Sequence, residues 1–465
     1  MANTRKSPPN KTLLQRIGAV LGRHVRRGDR LVAGLSGGID SVVMLDLLHR
    51  VAKTHRFELA ALHVNHQINP RADRWASFCR AYCRRLGVAL TVVKVRVPRE
   101  ASFEGAARAA RYAAFAALPA NFVAVAHNLD DQAETVLMQL LRGAGVKGAS
   151  AMPVLRRMDQ GLKIEPGLPD SRSSMRNPSV LRPLLEVTRA EIEAYAAARK
   201  LTWVDDDSNA DISFDRNFVR HRLLPVIAER YPAYRQTLSR ASRHFAEAAQ
   251  LLDELARGDM QIVSGLKISL LAALPIARAK NALRYFLALQ GVRMPNEARL
   301  AECIRQLQKP GGANTVIDLD GHQLRAFKGD LRVVRHSPQP AAGSSWSWCG
   351  ESRLVVPELG AALVMKKSRG SGISLAKLQL APVTVRLREG GERFRPDARR
   401  PRRSLKNLLQ EARLPPWLRS RLPLLYCGET LVYVPDIGID ADFGAQAGEP
   451  GIEPKWEQEG AASPA

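Results

Sequence analysis

Cysteine is scarce in this chain: five in 465 residues, an odd number, with no Cys-x-x-Cys pair. The scatter argues against a disulfide framework, and the missing pair argues against a structural zinc site or a ligated iron–sulfur cluster. A reducing compartment, the cytoplasm, is the expectation. Cys79 and Cys83, four apart on an expected helix, read as one packed face. Long apolar runs are also missing. None approaches the roughly 18 to 20 residues that a membrane-spanning helix needs, so a soluble protein without membrane contact is expected. The first ten residues are polar and contain two prolines, without the apolar core of a secretory signal. Acidic residues are the minority charge: 45 Asp plus Glu against 70 Lys plus Arg leave +25, which suits a polyanion, nucleic acid above all. A generally basic proteome would produce the same excess, so charge alone does not identify a partner.

Two nucleotide-binding signatures are absent as well. There is no Gly-x-x-x-x-Gly-Lys-Ser/Thr and no Gly-x-Gly-x-x-Gly after a strand, which removes Walker-type NTPases and dinucleotide dehydrogenases. What is present is Ser36-Gly37-Gly38-Ile39-Asp40-Ser41, between an apolar strand and a helix. Paired glycines let the backbone approach an anion, and the free N–H groups of a helix start favour phosphate oxygens. Ser36 and Ser41 can donate to the same oxygens. Asp40 beside phosphates would repel them unless it held Mg²⁺ in between. A Gly-rich turn with Asp as a helix cap is the bland alternative.

At roughly 150 residues per domain the length predicts two to four domains. Strand-like runs at 31–35, 59–64, 90–97 and 122–126 alternate with helical stretches at 40–53, 73–86, 104–118 and 131–141, the pattern of a parallel sheet covered on both faces. Ligands of such sheets bind beyond the carboxyl ends of the strands. Residues 158–180 read as a mobile loop. A capping box at Thr188 and Glu191 starts a helix to about 199, and 201–204 reads as a short strand. Residues 231–307 are helical and amphipathic, followed by strands to about 334, a linker at 337–345 and β-rich sequence to 364. The last ordered unit is expected at 381–443, and 448–465, small, polar and acidic, as disordered.

Three further segments carry chemistry. In His127-Asn128-Leu129-Asp130-Asp131-Gln132-Ala133-Glu134 the acids stand three and four apart at a helix start, where they can hold Mg²⁺ or take a proton; Asp131 with Glu134 also has the spacing of a helix cap and its return partner. Arg108 and Arg111 lie three apart on a helix and can clamp phosphates or leaving pyrophosphate. Arg216, Arg220 and Arg222 follow the acidic 205–207 run and can contact phosphates, although a charge-laced surface helix looks the same. His63 and His66 end the second strand on opposite faces, so they do not chelate one metal.

The hexapeptide at 36–41 resembles the PP-loop family of ATP pyrophosphatases. Together with residues 63–66, the 104–112 helix, 127–134 and 207–222, in that order along the chain, it resembles tRNA(Ile)-lysidine synthetase. The resemblance is close over 12–230 and looser beyond. Gly105 departs from it, where a second acidic residue is usual after Glu104. It implies an α/β fold: a Rossmann-like PP-loop domain with a parallel sheet (12–230), a mainly helical substrate-binding domain (231–336) and a small α+β C-terminal tRNA-binding region (346–443). It also implies a reaction. ATP adenylates the C2 oxygen of the wobble cytidine of tRNA(Ile) with a CAU anticodon, and the ε-amine of free L-lysine then displaces AMP. The implied ATP site is Ser36, Gly37, Gly38, Ile39, Asp40, Ser41, His63, Arg108 and Arg111. The implied reaction centre is Asp40, His127, Asp130 and Asp131, with Mg²⁺ on Asp40 and Asp131. Contacts to tRNA are expected from Arg216, Arg220, Arg393, Arg402, Arg403 and Lys406. Twelve cations between 386 and 421 face four acids there. Phe394 and Trp417 are read as core before base-stacking residues. The nearest rival is another PP-loop tRNA-modifying enzyme such as a thiolase, which usually needs cysteine pairs. Oligomeric state is open, a homodimer being one candidate.

Overall fold

A computed structural model describes residues 12–67, 69–95, 103–157, 177–206, 211–260, 266–309, 315–335 and 343–458. The first sheet has the order β3-β2-β1-β4-β6-β5. Its strands are β1 (Arg30–Gly34), β2 (Glu58–Asn65), β3 (Ala89–Lys94), β4 (Phe122–Ala124), β5 (Leu155–Arg157) and β6 (Ser179–Leu181). All pairings are parallel except that of edge strand β5 with β6. In β1, Leu31 and Ala33 enter one core and Val32 the other, so the strand is apolar throughout because both faces are covered.

One face is covered by α1 (Leu13–His24), α2 (Ile39–His55), α3 (Ala72–Leu86) and α7 (Arg189–Ala198), and the other by α4 (Phe103–Ala116). α5 (Leu129–Leu141) leaves the end of β4, and α6 (Val146–Ala149) follows. The chain runs from β1 outward to β3 and returns to β4 on the other side, so the sheet reverses direction between β1 and β4. The crevice beyond their carboxyl ends is where open α/β sheets take ligands.

α8 (Asp215–Phe218), a π-helical turn (Val219–Leu223) and α9 (Leu224–Arg230) form one rod, followed by the long α10 (Tyr234–Met260). α10 joins the sheet domain through Gln132, whose amide donates to Ser242 Oγ (3.2 Å) and to the Met152 carbonyl (3.0 Å). β7 (Leu266–Lys267), α11 (Ile268–Ala273), α12 (Ile276–Leu289) and α13 (Glu297–Gln308) come next.

The chain divides into two compact units, 1–264 with 270–304 and 265–269 with 305–465. The amphipathic helices belong with the sheet domain. β7 pairs with β10 (Asp330–Arg335) in a sheet with β9 (His322–Phe327) and β8 (Val316–Leu319), in the second unit.

The rest of that unit holds two sheets. The first, in the order β11-β15-β18-β19-β20, comprises β11 (Ser345–Trp348), β15 (Val383–Leu387), β18 (Pro423–Cys427), β19 (Thr430–Val434) and β20 (Gly438–Ile439). The second, β12-β13-β21-β14, comprises β12 (Arg353–Val356), β13 (Ala361–Arg369), β14 (Ile373–Ser374) and β21 (Pro450–Gln458). They share a core of Leu363, Met365, Val385, Leu425 and Ile452. Leu424, one residue from Leu425, packs instead with Phe394 and α15 (Leu405–Glu411) on the opposite face, the alternation of a strand buried on both sides.

Three expectations are corrected. No strand forms at 201–204, which runs as irregular chain with the Val204 N–H donating to the Gly37 carbonyl (3.0 Å). Of the expected loop, 158–176 lies outside the described residues, and Ser179 and Val180 belong to β6. The expected tail is ordered over 448–458: β21 pairs with all nine residues of β13. Its acidic composition concealed Ile452, which strands far earlier in the sequence receive into the core.

Candidate active site

β1 delivers the 36–41 loop to the carboxyl edge. Gly38 caps α2 with no side-chain hydrogen bond, which leaves the helix-start N–H groups without a side-chain acceptor. Gly37 sits at φ +97°, and a Cβ there would stand 2.7 Å from Val204 Cγ2. Glycine is required by both conformation and space. Ser41 is buried; its hydroxyl donates to the Gly38 carbonyl (2.8 Å) and accepts from the Gly37 N–H (3.2 Å) and from Ser36 Oγ (3.1 Å). Ser41 therefore braces the loop from below, while Ser36 is exposed at its surface.

β4 delivers the acidic edge beside it. Asn128 caps α5 by accepting from the Asp131 N–H (3.0 Å), and Asp131 returns the bond to the Asn128 N–H (3.0 Å). The cap pair is thus Asn128 with Asp131, not Asp131 with Glu134. The Asn128 amide also donates to Asp40 Oδ1 (3.1 Å), joining the loop to the acidic helix. Asp40 Oδ2 pairs with Arg189 Nη1 at 2.6 Å. Burial raises the Asp40 pKa, the Arg189 charge opposes this, and the charge of Asp131 adds to the rise. Asp130 accepts from the Arg189 backbone N–H at the start of α7 (2.8 Å) and pairs with Arg235 of α10.

Asp131 and Glu134 share two arginines. Arg216 Nε reaches Glu134 Oε2 at 2.8 Å and its Nη2 reaches Asp131 at 2.9 Å; Arg220 Nε reaches Glu134 Oε1 at 2.6 Å and its Nη2 reaches Asp131 at 3.1 Å. The Glu134 side chain is 1% exposed. Arg216 and Arg220 are therefore built into the acidic edge, instead of standing on an open basic face for a phosphate backbone. The π-helical turn containing Arg220 is the local irregularity at this point, as such turns often are at functional sites.

The histidines divide. His63 is 4% exposed, with Nδ1 2.8 Å from the Leu35 carbonyl and 3.5 Å from Cys79 Sγ, and burial lowers its pKa. It is packed behind the 36–41 loop, bonded to the last residue before it. His127, three residues beyond β4, has Nδ1 3.3 Å from Arg182 Nε. Burial pushes its pKa down to about 3, Asp131 opposes this, and Arg182, Arg216 and Arg108 reinforce it. Arg108 and Arg111 are both exposed on α4 but turn to different neighbours: Arg108 bonds the Tyr112 hydroxyl (3.3 Å) and acts on His127, while the charge of Arg111 acts on His66. Burial pushes the Cys79 and Cys83 thiols up to about 12 and about 11, far from a reactive thiolate. Among the described residues no cluster of three or more His, Cys, Asp or Glu has metal-binding geometry.

Sequence reasoning missed Asn128, Arg182, Arg189 and Arg235. Asn128 had a readable signal, since Asn three residues before Asp131 has capping-box spacing. The arginines had none; each is one cation among many and meets its partner only through the fold.

In the second unit, carboxylates remote in sequence answer many of the expected tRNA-binding cations. Arg402 pairs with buried Asp440 (3.0 Å) and with Asp442 (2.7 Å), Arg403 with Glu411 (2.9 Å), Arg386 with Glu429 (3.0 Å) and Arg395 with Asp442. Arg402 and Arg403 thus each have carboxylate partners within the unit. Arg393 and Lys406 are exposed, Arg393 donating to the Arg402 carbonyl (3.0 Å). Phe394 is fully buried. Trp417 meets the Phe327 ring edge-on at 5.8 Å, with the Arg325 guanidinium 5.3 Å from its centre.

A parallel sheet that sets a glycine-paired anion loop and an acidic helix start side by side where its strand order reverses is a nucleotide-activating domain. The PP-loop domain model matches residues 9–227, the TilS substrate binding domain 266–332 and the TilS substrate C-terminal domain 383–456. The chain is 42% identical to the tRNA(Ile)-lysidine synthase of Nitrosomonas europaea over 439 residues, 93% of each chain. It is also 42% identical to that of Azoarcus sp. over 441 residues, again 93% of each, and 37% identical to that of Coxiella burnetii over 423 residues, 89% of this chain and 90% of the relative. The chain belongs to the tRNA(Ile)-lysidine synthase family.

Proposed function

We propose that this chain is an ATP-dependent ligase that forms a C–N bond between L-lysine and C2 of the wobble cytidine in tRNA(Ile) bearing a CAU anticodon. The observation that carries the reading is the junction of the 36–41 loop with the acidic edge through Asn128 and Asp40 at the sheet's reversal point. In the first step the cytidine O2 attacks the α-phosphorus of ATP, and pyrophosphate leaves. In the second the neutral ε-amine of lysine attacks C2, the C2–O bond breaks, AMP leaves and one proton is released. The N–H groups that open α2 and the Ser36 hydroxyl receive phosphate oxygens, and Arg108 faces the negative charge that gathers on the leaving pyrophosphate.

Asp40 and Asp131 fit Mg²⁺ chemically. Both offer hard oxygen ligands; burial is the main cause of the raised Asp40 pKa and the Asp131 charge adds to it, so a shared cation would favour the charged forms, in competition with Arg216 and Arg220 at Asp131. A bound Mg²⁺ would neutralise charge between these carboxylates and the nucleotide phosphates. Arg189 holds Asp40 through the 2.6 Å pair and competes with that cation for its carboxylate. Exposed Arg393 and Lys406 are proposed tRNA contacts. No helix among the described residues is long and apolar enough to cross a membrane, and action on tRNA in the cytoplasm is the proposed setting.

Protein, ATP, Mg²⁺, lysine and CAU-bearing tRNA(Ile) should yield AMP and pyrophosphate in equal amounts, and yield neither without the tRNA. ADP and phosphate as products would remove the adenylation reading.

A further inference from the structure

Arg182 is 1% exposed, yet among the described residues no carboxylate pairs with it. Its partners are neutral acceptors: the Pro153 carbonyl at 2.7 Å, the Tyr112 hydroxyl, and His127 Nδ1 at 3.3 Å from Nε. A guanidinium has five N–H donors, no acceptor, and keeps its proton in proteins. The atom it meets on His127 must therefore present a lone pair. A neutral imidazole with a lone pair on Nδ1 carries its proton on Nε2. His63 shows the opposite case in the same sheet: its Nδ1 meets a carbonyl oxygen, which only accepts, so the proton sits on Nδ1. His63, within β2, and His127, just beyond β4, are fixed as opposite tautomers by their partners.

We propose that Arg182 is a positioning residue that fixes His127 as a neutral Nε2–H donor, and that His127 contributes this donor, not proton transfer, to an anionic phosphoryl oxygen of ATP. Three features support this acceptor. Among the described residues nothing bonds Nε2. The groups whose charge acts on the ring are Arg182, Arg216 and Arg108 against one carboxylate, Asp131, and that carboxylate is already engaged by two arginines. His127 also follows β4, the strand paired with β1, and the 36–41 loop follows β1 at the same edge of the sheet. A ring so held does not collect the proton from lysine, which falls to a carboxylate of the edge. The acceptor rests on the ATP reading above; the tautomer does not.

The full chain labelled with [15N]histidine, without substrate, tests the tautomer, with His127 and His63 resonances assigned by their loss in H127Q and H63Q. The expected result is an unprotonated Nδ1 and a protonated Nε2 at His127, and the reverse at His63. A protonated Nδ1 at His127 overturns the proposal, whatever the enzyme's activity. Turnover separates the roles further. Gln keeps an N–H donor near the Nε2 position, so H127Q should retain AMP formation within about 10-fold, whereas H127A should lose about 100-fold or more in kcat, the size of one transition-state donor. Equal loss in both would overturn the donor role. R182M, which removes the donor, should lower kcat and mix the two tautomers while KM for tRNA is unchanged. An unaltered tautomer in folded R182M would contradict the positioning role, and if R182M does not fold the wild-type spectrum still decides. Absence of AMP formation from wild type, with the expected tautomer present, would count against the ATP reading and not against Arg182.

Discussion

Gly37 is held by two independent constraints, a left-handed backbone at φ +97° and the 2.7 Å approach of Val204 to the place of a Cβ. G37A should therefore cost about 1–3 kcal/mol of stability through strain at this residue and raise KM for ATP. Thermal unfolding and initial rates read both, and an unchanged KM would mean that the loop does not receive ATP. At Asp40, D40A should abolish AMP formation while tRNA still binds; loss of tRNA binding instead would make the residue structural. What the sequence made legible at this scale were residues whose chemistry is local, the 36–41 loop and the acids at 130, 131 and 134. Arg182, Arg189 and Arg235 were illegible because their partners lie 55, 149 and 105 positions away. Arg216 and Arg220 were visible as cations, but their acceptors, 82 and 86 positions distant, were not.

Among elements, the start of α5 is set by its own cap and by three neighbours: α7 through Arg189, α8 and its π-helical turn through Arg216 and Arg220, and α10 through Arg235. E134A leaves those two arginines half-paired. It should destabilise by about 2–3 kcal/mol, less than breaking a fully buried pair because Asp131 and some solvent remain to them. Urea unfolding checks this, and a loss of about 0.5 kcal/mol or less, the size of a surface pair, would contradict it. The histidines at the ends of β2 and β4 have folded-state pKa values below their unfolded value near 6.5, reaching about 4 for His66 and about 3 for His127. The stability they allow is full above about pH 6.5 and is lost as pH falls toward the folded values, because the unfolded chain takes up protons first. The melting temperature should accordingly drop between about pH 7 and pH 5, a window above ordinary carboxylate titration; a flat or rising profile would contradict it. Elements with strong periodicity, β1 to β4 and α2 to α5, were legible within a few residues. β21 was not, because a strand whose ladder partner lies far away in the chain leaves only its composition to read.

For the whole molecule, the +25 charge excess suits a polyanionic substrate, yet the structure returns several of its cations to carboxylates within the same unit. Net charge was legible; which cations remain available depends on folding. Among the exposed cations of the second unit are Arg393, Arg399, Lys406 and Arg413. Replacing Lys406, Arg399 and Arg413 with Ala together should weaken tRNA binding and reduce its salt dependence by roughly one unit of slope for each phosphate no longer neutralised. An unchanged slope would remove this surface from the tRNA interface. Lysine transfer itself is read by incubating the protein with ATP, Mg²⁺, CAU-bearing tRNA(Ile) and labelled lysine. Stable label should appear in that tRNA, one lysine for each AMP released; tRNA that gains sulfur or ammonia nitrogen and no lysine would contradict the assignment as a lysine ligase.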